Sequence, residues 1–364
     1  MGIYITGIGV VGGFGCGVTE LLACLENGAT PVKELPASRS HGSAYGPAFL
    51  ADTSYLETFV PKKSLRRIDH FSQMAILGAY LALQDAGMPS LTGQRTGLVV
   101  CSGYGAANTT FSFLDSIIDN GDVCASPTLF SNSVHNAAAG HISILMELDG
   151  PCLTVSQFEM SVSSGLISAC LWLEEGRVDQ VLFGAVDEYC NVLGYCWRRF
   201  FGEGNNGIMT PLSPDRQSAI PGEGAAFFLL SRDKAGSSRY ASVRDVRMGR
   251  LDDNGISCPE DAILILGADG HSRCDEPYIN FISQGTEAAC YSPLYGSLPI
   301  GQAFDMAIAA LSIKKGRIFA SPGAVARQDS INIIKEDHLI GSKSICCLKL
   351  GKEGEFGMAT LSPK

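Results

Sequence analysis

Residues 150–165 read Gly-Pro-Cys-Leu-Thr-Val-Ser-Gln-Phe-Glu-Met-Ser-Val-Ser-Ser-Gly. The Gly-Pro pair is a break, and the β-prone run 152–155 after it reads as a strand. From Ser161 to Glu175 the residues are mostly small or apolar and end at Gly176, which reads as a closely packed helix with its stop signal. Only about five residues separate strand from helix, so the chain must turn sharply there. A side chain on such a turn sits at a helix N-terminus, where free amides and the helix dipole favour negative charge. A cysteine in that place would be activated as a thiolate. This chain carries Glu159 instead.

Outward from this stretch, strand and helix patterns alternate. Residues 3–6 read as a short strand, followed by a glycine-rich turn through Gly17 and a short helix over 18–25. The span 31–61 is turn-rich and irregular. Apolar residues at helical spacing over 71–86 stop at Gly87-Met88-Pro89, and 96–102 is an apolar β-type run. Helices follow over 108–118 and 137–146, and strands over 181–186 and 225–231. Residues 234–255 are charged, carry Gly and Ser, and read as a bridge. Beyond them the alternation resumes: strand 262–266, helices 278–289 and 301–314, strand 344–350. This pattern predicts a layered α/β architecture in two parts, 1–234 and 235–364.

Composition narrows the function classes. The chain has 364 residues, ample for a large core, with 46% hydrophobic and 18% charged residues. A net charge of -10 opposes general binding to nucleic acid or an anionic membrane surface. No apolar run reaches the ~20 residues of a membrane span. The thirteen cysteines are scattered without paired Cys-x-x-Cys units, so no metal site is expected. Their odd number, with no secretory leader pattern, reads as free thiols in a reducing cytoplasm. Cys346 and Cys347 are expected on opposite faces of one strand. Gly2 and Thr6 formally match a myristoylation signal, but the residues that follow read as a buried strand. Gly7-x-Gly9-x-x-Gly12 formally matches a dinucleotide fingerprint, yet neither Glu20 nor Glu26 ends a second strand, and no nucleotide cofactor is expected.

Several motifs in order resemble the β-ketoacyl synthases. Ile5-Thr6-Gly7-Ile-Gly9-Val-Val is similar to that family's opening strand and turn. Arg67-Ile-Asp69-His-Phe71-Ser72 resembles its "R-x-D-x-F-S" helix entry, and Asn136-Ala-Ala-Ala139-Gly140-His141-Ile its "N-x-A-A-G-H-I" helix. Gly150-Pro151 and Thr154-Val155-Ser156 match the run into the nucleophile turn. Gly207-Ile-Met-Thr-Pro211-Leu with Asp215-Arg216 sits at its "R-P-F-D-x-x-R" loop, and Pro221-Gly222-Glu223-Gly224-Ala225-Ala is similar to its "G-E-G-A-G" turn. The matches cover roughly the first 230 residues. The resemblance implies a thiolase-like fold: five layers, α-β-α-β-α, in two pseudo-symmetric halves. It also implies acyl-chain extension by a cysteine and two histidines.

All three reactive positions differ here. Glu159 replaces the cysteine, Asp269 aligns with the first histidine and Ser297 with the second, and the family's C-terminal "G-F-G-G-x-N" loop is missing before the last strand, 344–350. Glu159 reads either as an inert carboxylate capping the turn's amides, or as a carboxylate that mimics a bound malonyl group or performs acid–base work. His271, two residues past Asp269, reads as an exposed turn histidine or as a displaced catalytic one. His141 reads as a satisfied core histidine. A family member without its triad most resembles the chain-length factor of type II polyketide synthases. That resemblance implies a heterodimer with an active ketosynthase, served by an acyl carrier protein. The strand of Cys152, Thr154 and Ser156 would pair across the dimer axis. Phe111, Phe113, Leu114, Ile117, Ser133 and His135 would line a shared acyl tunnel, or else pack as ordinary core. The basic cluster Lys62, Lys63, Arg66 and Arg67 is either a solvated turn or a contact for an acidic carrier or partner. The alternative activity on the same frame is a malonyl-carrier-protein decarboxylase or another acyltransferase.

Overall fold

The computed structural model describes residues 2–35, 46–201, 207–213, 215–232, 240–251, 258–259, 261–281, 285–322 and 331–363. In the first part of the chain five strands, β1 (Ile3–Gly12), β2 (Thr96–Ser102), β3 (Cys152–Ser156), β4 (Gln180–Asp187) and β5 (Gly224–Ser231), lie in the order β1-β5-β4-β2-β3. In the second part β6 (Ser242–Arg250), β7 (Ala262–Leu266), β8 (Thr286–Ala289), β9 (Ile331–Ile333), β10 (Ser344–Leu350) and β11 (Glu355–Ser362) lie in the order β6-β11-β10-β7-β8-β9. The two orders superimpose term by term, apart from the extra edge strand β9. So do the senses: each half starts with two antiparallel pairings and continues with parallel ones. The halves join where β1 meets β6, at Ile3 opposite Val243 and Tyr4 opposite Ser242.

Helices complete the layers. α1 (His70–Ala86), α2 (Ala107–Asn120), α3 (Pro127–Ser133) and α4 (Ala137–Leu145) belong to the first half, where α1 and α4 cover the outer face of its sheet. α5 (Ser161–Glu174) follows β3, α6 (Asn191–Phe201) follows β4, and α7 (Ser272–Phe281) lies outside the second half against β10. α8 (Gly301–Lys315) is buried on every side from Gly301 to Ser312. A helix apolar all round must lie between layers. α8 touches β10 and β11 as well as β1 and β5, and α5 touches β2 and β4 as well as β6 and β11. These two helices form the middle of a five-layer thiolase-like α-β-α-β-α body, and the inner core runs through them. Gln302 of α8 pins the layer: its amide accepts from the Ser163 hydroxyl at 2.7 Å and donates to the Gly357 and Cys347 carbonyls at 2.9 and 3.1 Å.

The structure revises four readings of the sequence. The glycine-rich segment after residue 6 is not a turn, because β1 continues to Gly12. A Cβ on Gly7 would lie 2.2 Å from the Ala82 carbonyl oxygen, and one on Gly9 would lie 2.0 Å from that of Gly78. These glycines therefore let strand and helix backbones touch; they cradle no phosphate. The expected bridge 234–255 contains β6, a partly exposed strand on which Arg247 meets Asp245 at 2.7 Å. The expected helix 278–289 ends at Phe281, and 286–289 is the parallel strand β8, held in register by Leu264 opposite Ala288. Finally, β10 is not the last strand, since β11 returns antiparallel beside it. α6 was not anticipated. The expected boundary at 234/235 lies outside the described residues. Among the described residues no helix is long and apolar enough to cross a membrane.

Candidate functional site

The C-terminal ends of parallel strands converge on one side of an α/β sheet, where the crevice outside them is the usual ligand site. Here the ends of β2, β3, β7 and β10 open onto a cavity of about 520 Å³. Its lining includes Tyr104, Phe158, Glu159, Trp197, Asp269, His271, Cys274, Ser297 and Lys349.

The turn after β3 is strained. Phe158 holds φ at 46°, in the left-handed region that a bulky residue rarely enters, at a cost of about 1–3 kcal/mol. Ser161 holds it there. Its hydroxyl accepts the Gln157 N–H at 2.7 Å and lies 2.9 and 2.8 Å from the carbonyls of Ser102 and Phe158. The Gln157 and Met160 side chains, at the N-caps of the 3-10 turn Phe158–Met160 and of α5, make no capping hydrogen bond. Among the described residues no hydrogen bond joins Glu159 to these amides, so the expected cap is not seen. The carboxylate lines the cavity, and its charge acts on Lys349, Tyr104 and Cys274.

Across the cavity Ser297 and Asp269 bond to each other. The Ser297 hydroxyl donates to Asp269 Oδ2 at 2.6 Å. The same oxygen lies 3.5 Å from Lys349 Nζ, and Lys349 donates to the Gly267 carbonyl at 2.9 Å. Lys349 is almost wholly buried on β10. Burial alone would pull its pKa down, but Asp269, with Glu159 behind it, more than offsets this and holds the ammonium above its usual range. The Asp269 N–H donates to Asp275 Oδ1 at 3.1 Å. Asp275 also accepts from the Leu212 N–H at 2.7 Å, offered by a left-handed backbone with φ 63°. Burial, and then the charge of Asp269, push Asp275 up to about 7.

His271 is 8% exposed, which corrects the reading of an exposed turn histidine; its ring meets Trp197 edge-on with centroids 6.0 Å apart. The Cys274 thiol is close by, but burial and then Asp269 push it up to about 12, so it is not ionised near neutrality. Tyr104 is positioned from β4. Asp187 Oδ1 accepts from the Ser102 hydroxyl at 2.7 Å and from the Gly103 and Tyr104 amides at 3.0 Å each, and burial pushes that carboxyl up to about 6. Among the described residues no cluster of His, Cys, Asp and Glu could hold a metal.

The structure brings Glu159, Asp269, Ser297 and His271 into this one cavity. The proposed tunnel residues do not line it; they lie on α2, on α3 and just after it, and α2 packs against α3 and α6. Phe111, Phe113 and Ile117 are half-buried on α2, and Leu114 on the same helix is exposed; the Phe113 ring sits 5.5 Å from that of Phe130. Ser133 donates to the Phe130 carbonyl at 2.9 Å, and His135 lies against Gly105. Among the described residues β3 pairs only with β2; Cys152 and Ser156 are exposed at its ends and Thr154 is half-buried between them. Lys62, Lys63, Arg66 and Arg67 are exposed outside the cavity, and Lys62 meets Glu57 at 3.1 Å. His141 is half-buried, 3.1 Å from Asn132 Oδ1. Two of the resembling motifs are structural ties. Asp69 caps α1 by accepting the Ser72 amide at 3.3 Å. Glu223 takes the Ala51 and Tyr189 amides and His70 Nε2, each at 3.0 Å. Sequence reading missed Lys349. The signal was there: one lysine in the otherwise apolar run Ile-Cys-Cys-Leu-Lys-Leu is a buried charge in need of a partner.

Residues 2–235 match the family described as beta-ketoacyl synthase, N-terminal domain. Nodulation protein E of Rhizobium sp. (strain N33) is 26% identical over 300 residues, 79% of this chain and 74% of that protein. Among solved structures, the ishigamide ketosynthase/chain length factor superposes with a TM-score of 0.83 at 18% identity, covering 100% of this chain and 99% of that one. A type II polyketide ketosynthase bound to its acyl carrier protein, AntDE:AntF, gives 0.82 at 16% identity with the same coverage.

Proposed function

The chain belongs to the β-ketoacyl synthase family, and from that premise we propose that it is a catalytically silent, chain-length-factor-like subunit that shapes the acyl tunnel of an active ketosynthase. One observation supports this reading: Asp269 and Ser297, which we take as the counterparts of the family's two imidazoles, are bonded to each other and to Lys349, in the same cavity as Glu159, taken as the counterpart of the thiol. A carboxylate is a poor acyl acceptor, because a mixed anhydride hydrolyses readily. The neighbouring thiol, Cys274, stays protonated. A malonyl carboxylate entering the cavity would meet Glu159 and Asp269, and like charges juxtaposed in such a site cost several kcal/mol. The enolate formed by its decarboxylation would need preorganised donors, yet the Ser297 hydroxyl is already spent on Asp269.

The unpaired edge of β3 is the proposed pairing surface. An open strand edge is a template for a further strand, and the helices that touch β3, α4 and α5, carry exposed Ile144 and Leu171, with Phe158 exposed on the turn that follows it. A patch of this kind marks an interaction site. The partner is proposed to be a cysteine-bearing ketosynthase, with an acyl carrier protein delivering extender units near Lys63, Arg66 and Arg67. The tunnel would run along Phe111, Phe113, Ile117 and their neighbours, and the two parts of the chain on either side of residue 234 would act as one body.

Co-expression with a ketosynthase and carrier protein tests the proposal. Glu159→Ala should leave polyketide output intact, whereas enlarging or truncating Phe113 or Ile117 should change product length. Output lost on Glu159→Ala in a folded complex would favour direct chemistry instead. The rival reading, a malonyl-carrier-protein decarboxylase, draws on one fact: His271 reaches the cavity. It requires isolated protein to release carbon dioxide from malonyl-carrier protein and to lose that activity on His271→Ala.

A further inference from the structure

The cavity at the strand ends carries more negative than positive charge. Four carboxylates line it, Glu159, Asp269, Glu353 and Glu355, against two lysines, Lys349 and Lys352. Asp269 and Lys349 hold each other, with Ser297 and the Gly267 carbonyl completing their bonds. Lys352 and Glu353 are exposed, and half-buried Glu355 accepts the Glu353 N–H at 3.1 Å. Glu159 differs from all of these. It is half-buried, lines the cavity, and among the described residues has no hydrogen bond or ion pair. A carboxylate shielded from water needs a counter-charge. The walls beside it are aromatic. The Tyr104 and Phe158 rings meet at 77° with centroids 6.1 Å apart, and the Trp197 ring meets that of His271 at 79°. Rings set nearly at right angles make corners, and the negative faces of aromatic rings attract cations.

We propose that this cavity binds a small organic cation, a quaternary or protonated amine, with its charged head at Glu159 among the Tyr104, Phe158 and Trp197 rings. The volume of about 520 Å³ lies in the range of small-molecule sites, which are usually lined by aromatic walls and a few polar groups. Other ligand classes fit less well. An anion would approach Glu159 and Asp269 while Lys349 is already held. A neutral acyl chain would desolvate Glu159 and supply no charge to balance it. A bare metal ion would need several oxygens around it, where rings stand here. The inference rests on the reading of the cavity as catalytically silent, since a decarboxylase would need the same space for a malonyl group.

The test titrates the purified full chain with choline and, separately, with its neutral analogue in which carbon replaces the nitrogen. Binding is followed by isothermal calorimetry and by tryptophan fluorescence. The chain has two tryptophans, and Trp172 packs against Gly97 on β2 outside the cavity, so a change on binding reports Trp197. Choline is expected to bind at least about tenfold more tightly than the analogue. Glu159→Gln should bring choline down to the level of the analogue, and Trp197→Leu should weaken choline binding in the calorimeter. Choline binding no tighter than the analogue would overturn the proposal. So would a preference that survives Glu159→Gln in a folded chain. Incubating the same preparation with malonyl-carrier protein separates the two readings. Acetyl product would sink the silent-subunit reading and this inference with it. A missing choline preference without acetyl product would sink the inference alone.

Discussion

Lys349 and Asp269 depend on each other. Each is nearly buried, and each would be an uncompensated charge alone. Breaking a buried pair from one side costs about 3–5 kcal/mol, because the survivor stays desolvated. Lys349→Met should therefore lower the free energy of unfolding in urea by that order. Lys349→Met combined with Asp269→Asn should recover much of the loss, since Ser297 can still donate to the amide oxygen. A double variant no more stable than the single one would show that Lys349 acts by packing. Glu159 stands apart from this pair. Among the described residues no hydrogen bond joins it to the turn, so Glu159→Ala should change stability by no more than ~1 kcal/mol.

The turn between β3 and α5 shows what the sequence could and could not reveal. Glycine suits a φ of 46° where phenylalanine does not, and Phe158 is 59% exposed. Phe158→Gly should raise stability by up to about 1 kcal/mol in thermal or urea unfolding, despite glycine's greater freedom in the unfolded chain. Ser161→Ala should cost about 1–3 kcal/mol, because it strands the Gln157 amide and buried carbonyls together. The strand, the helix and the place of Glu159 were legible because a Gly-Pro break and a run of small residues are local signals. The ownership of the amide was not, because Ser161 also reaches Ser102 on a strand some 60 residues away in sequence. The same limit explains β8, where Thr-Glu-Ala-Ala has no strand preference of its own and is held by its neighbours. β6 was hidden by its charges, and β1 by glycines that serve helix packing rather than a turn. The family resemblance drew attention to Asp269 and Ser297 in the sequence, but their bond to each other and to Lys349 is a product of folding β7 beside β10.

The body as a whole buries acids that are ordinarily ionised. Burial pushes Asp187 up to about 6, and Asp275 and Asp305 up to about 7; Asp305 retains one hydrogen bond, from the Tyr295 hydroxyl at 2.8 Å. His70 is also raised: burial pulls it down, but Glu223 more than offsets this. In each case the folded state binds protons more tightly than the unfolded one. Stability from these groups is therefore greatest at low pH and is lost as pH rises toward their folded values, at ~1.4 kcal/mol for each full unit of upward shift. Their contribution should make unfolding easier at pH 8 than at pH 5.5 in thermal scans, and Asp305→Asn should flatten that dependence. A slope unchanged by the variant would place the ionisable groups responsible elsewhere. On the helices beside the open edge of the first half, Ile144→Glu with Leu171→Glu should leave the fold intact, since both side chains are exposed, yet abolish co-purification with a ketosynthase. The central claim is that a synthase body persists without the reactive groups of a synthase. It is met most directly by mixing the isolated full-length protein with malonyl-carrier protein and following both by intact mass. The account predicts no acetyl-carrier protein above the protein-free control and no acyl adduct on the chain. Catalytic formation of acetyl-carrier protein, or an acyl group held at Glu159 or Cys274, would contradict it.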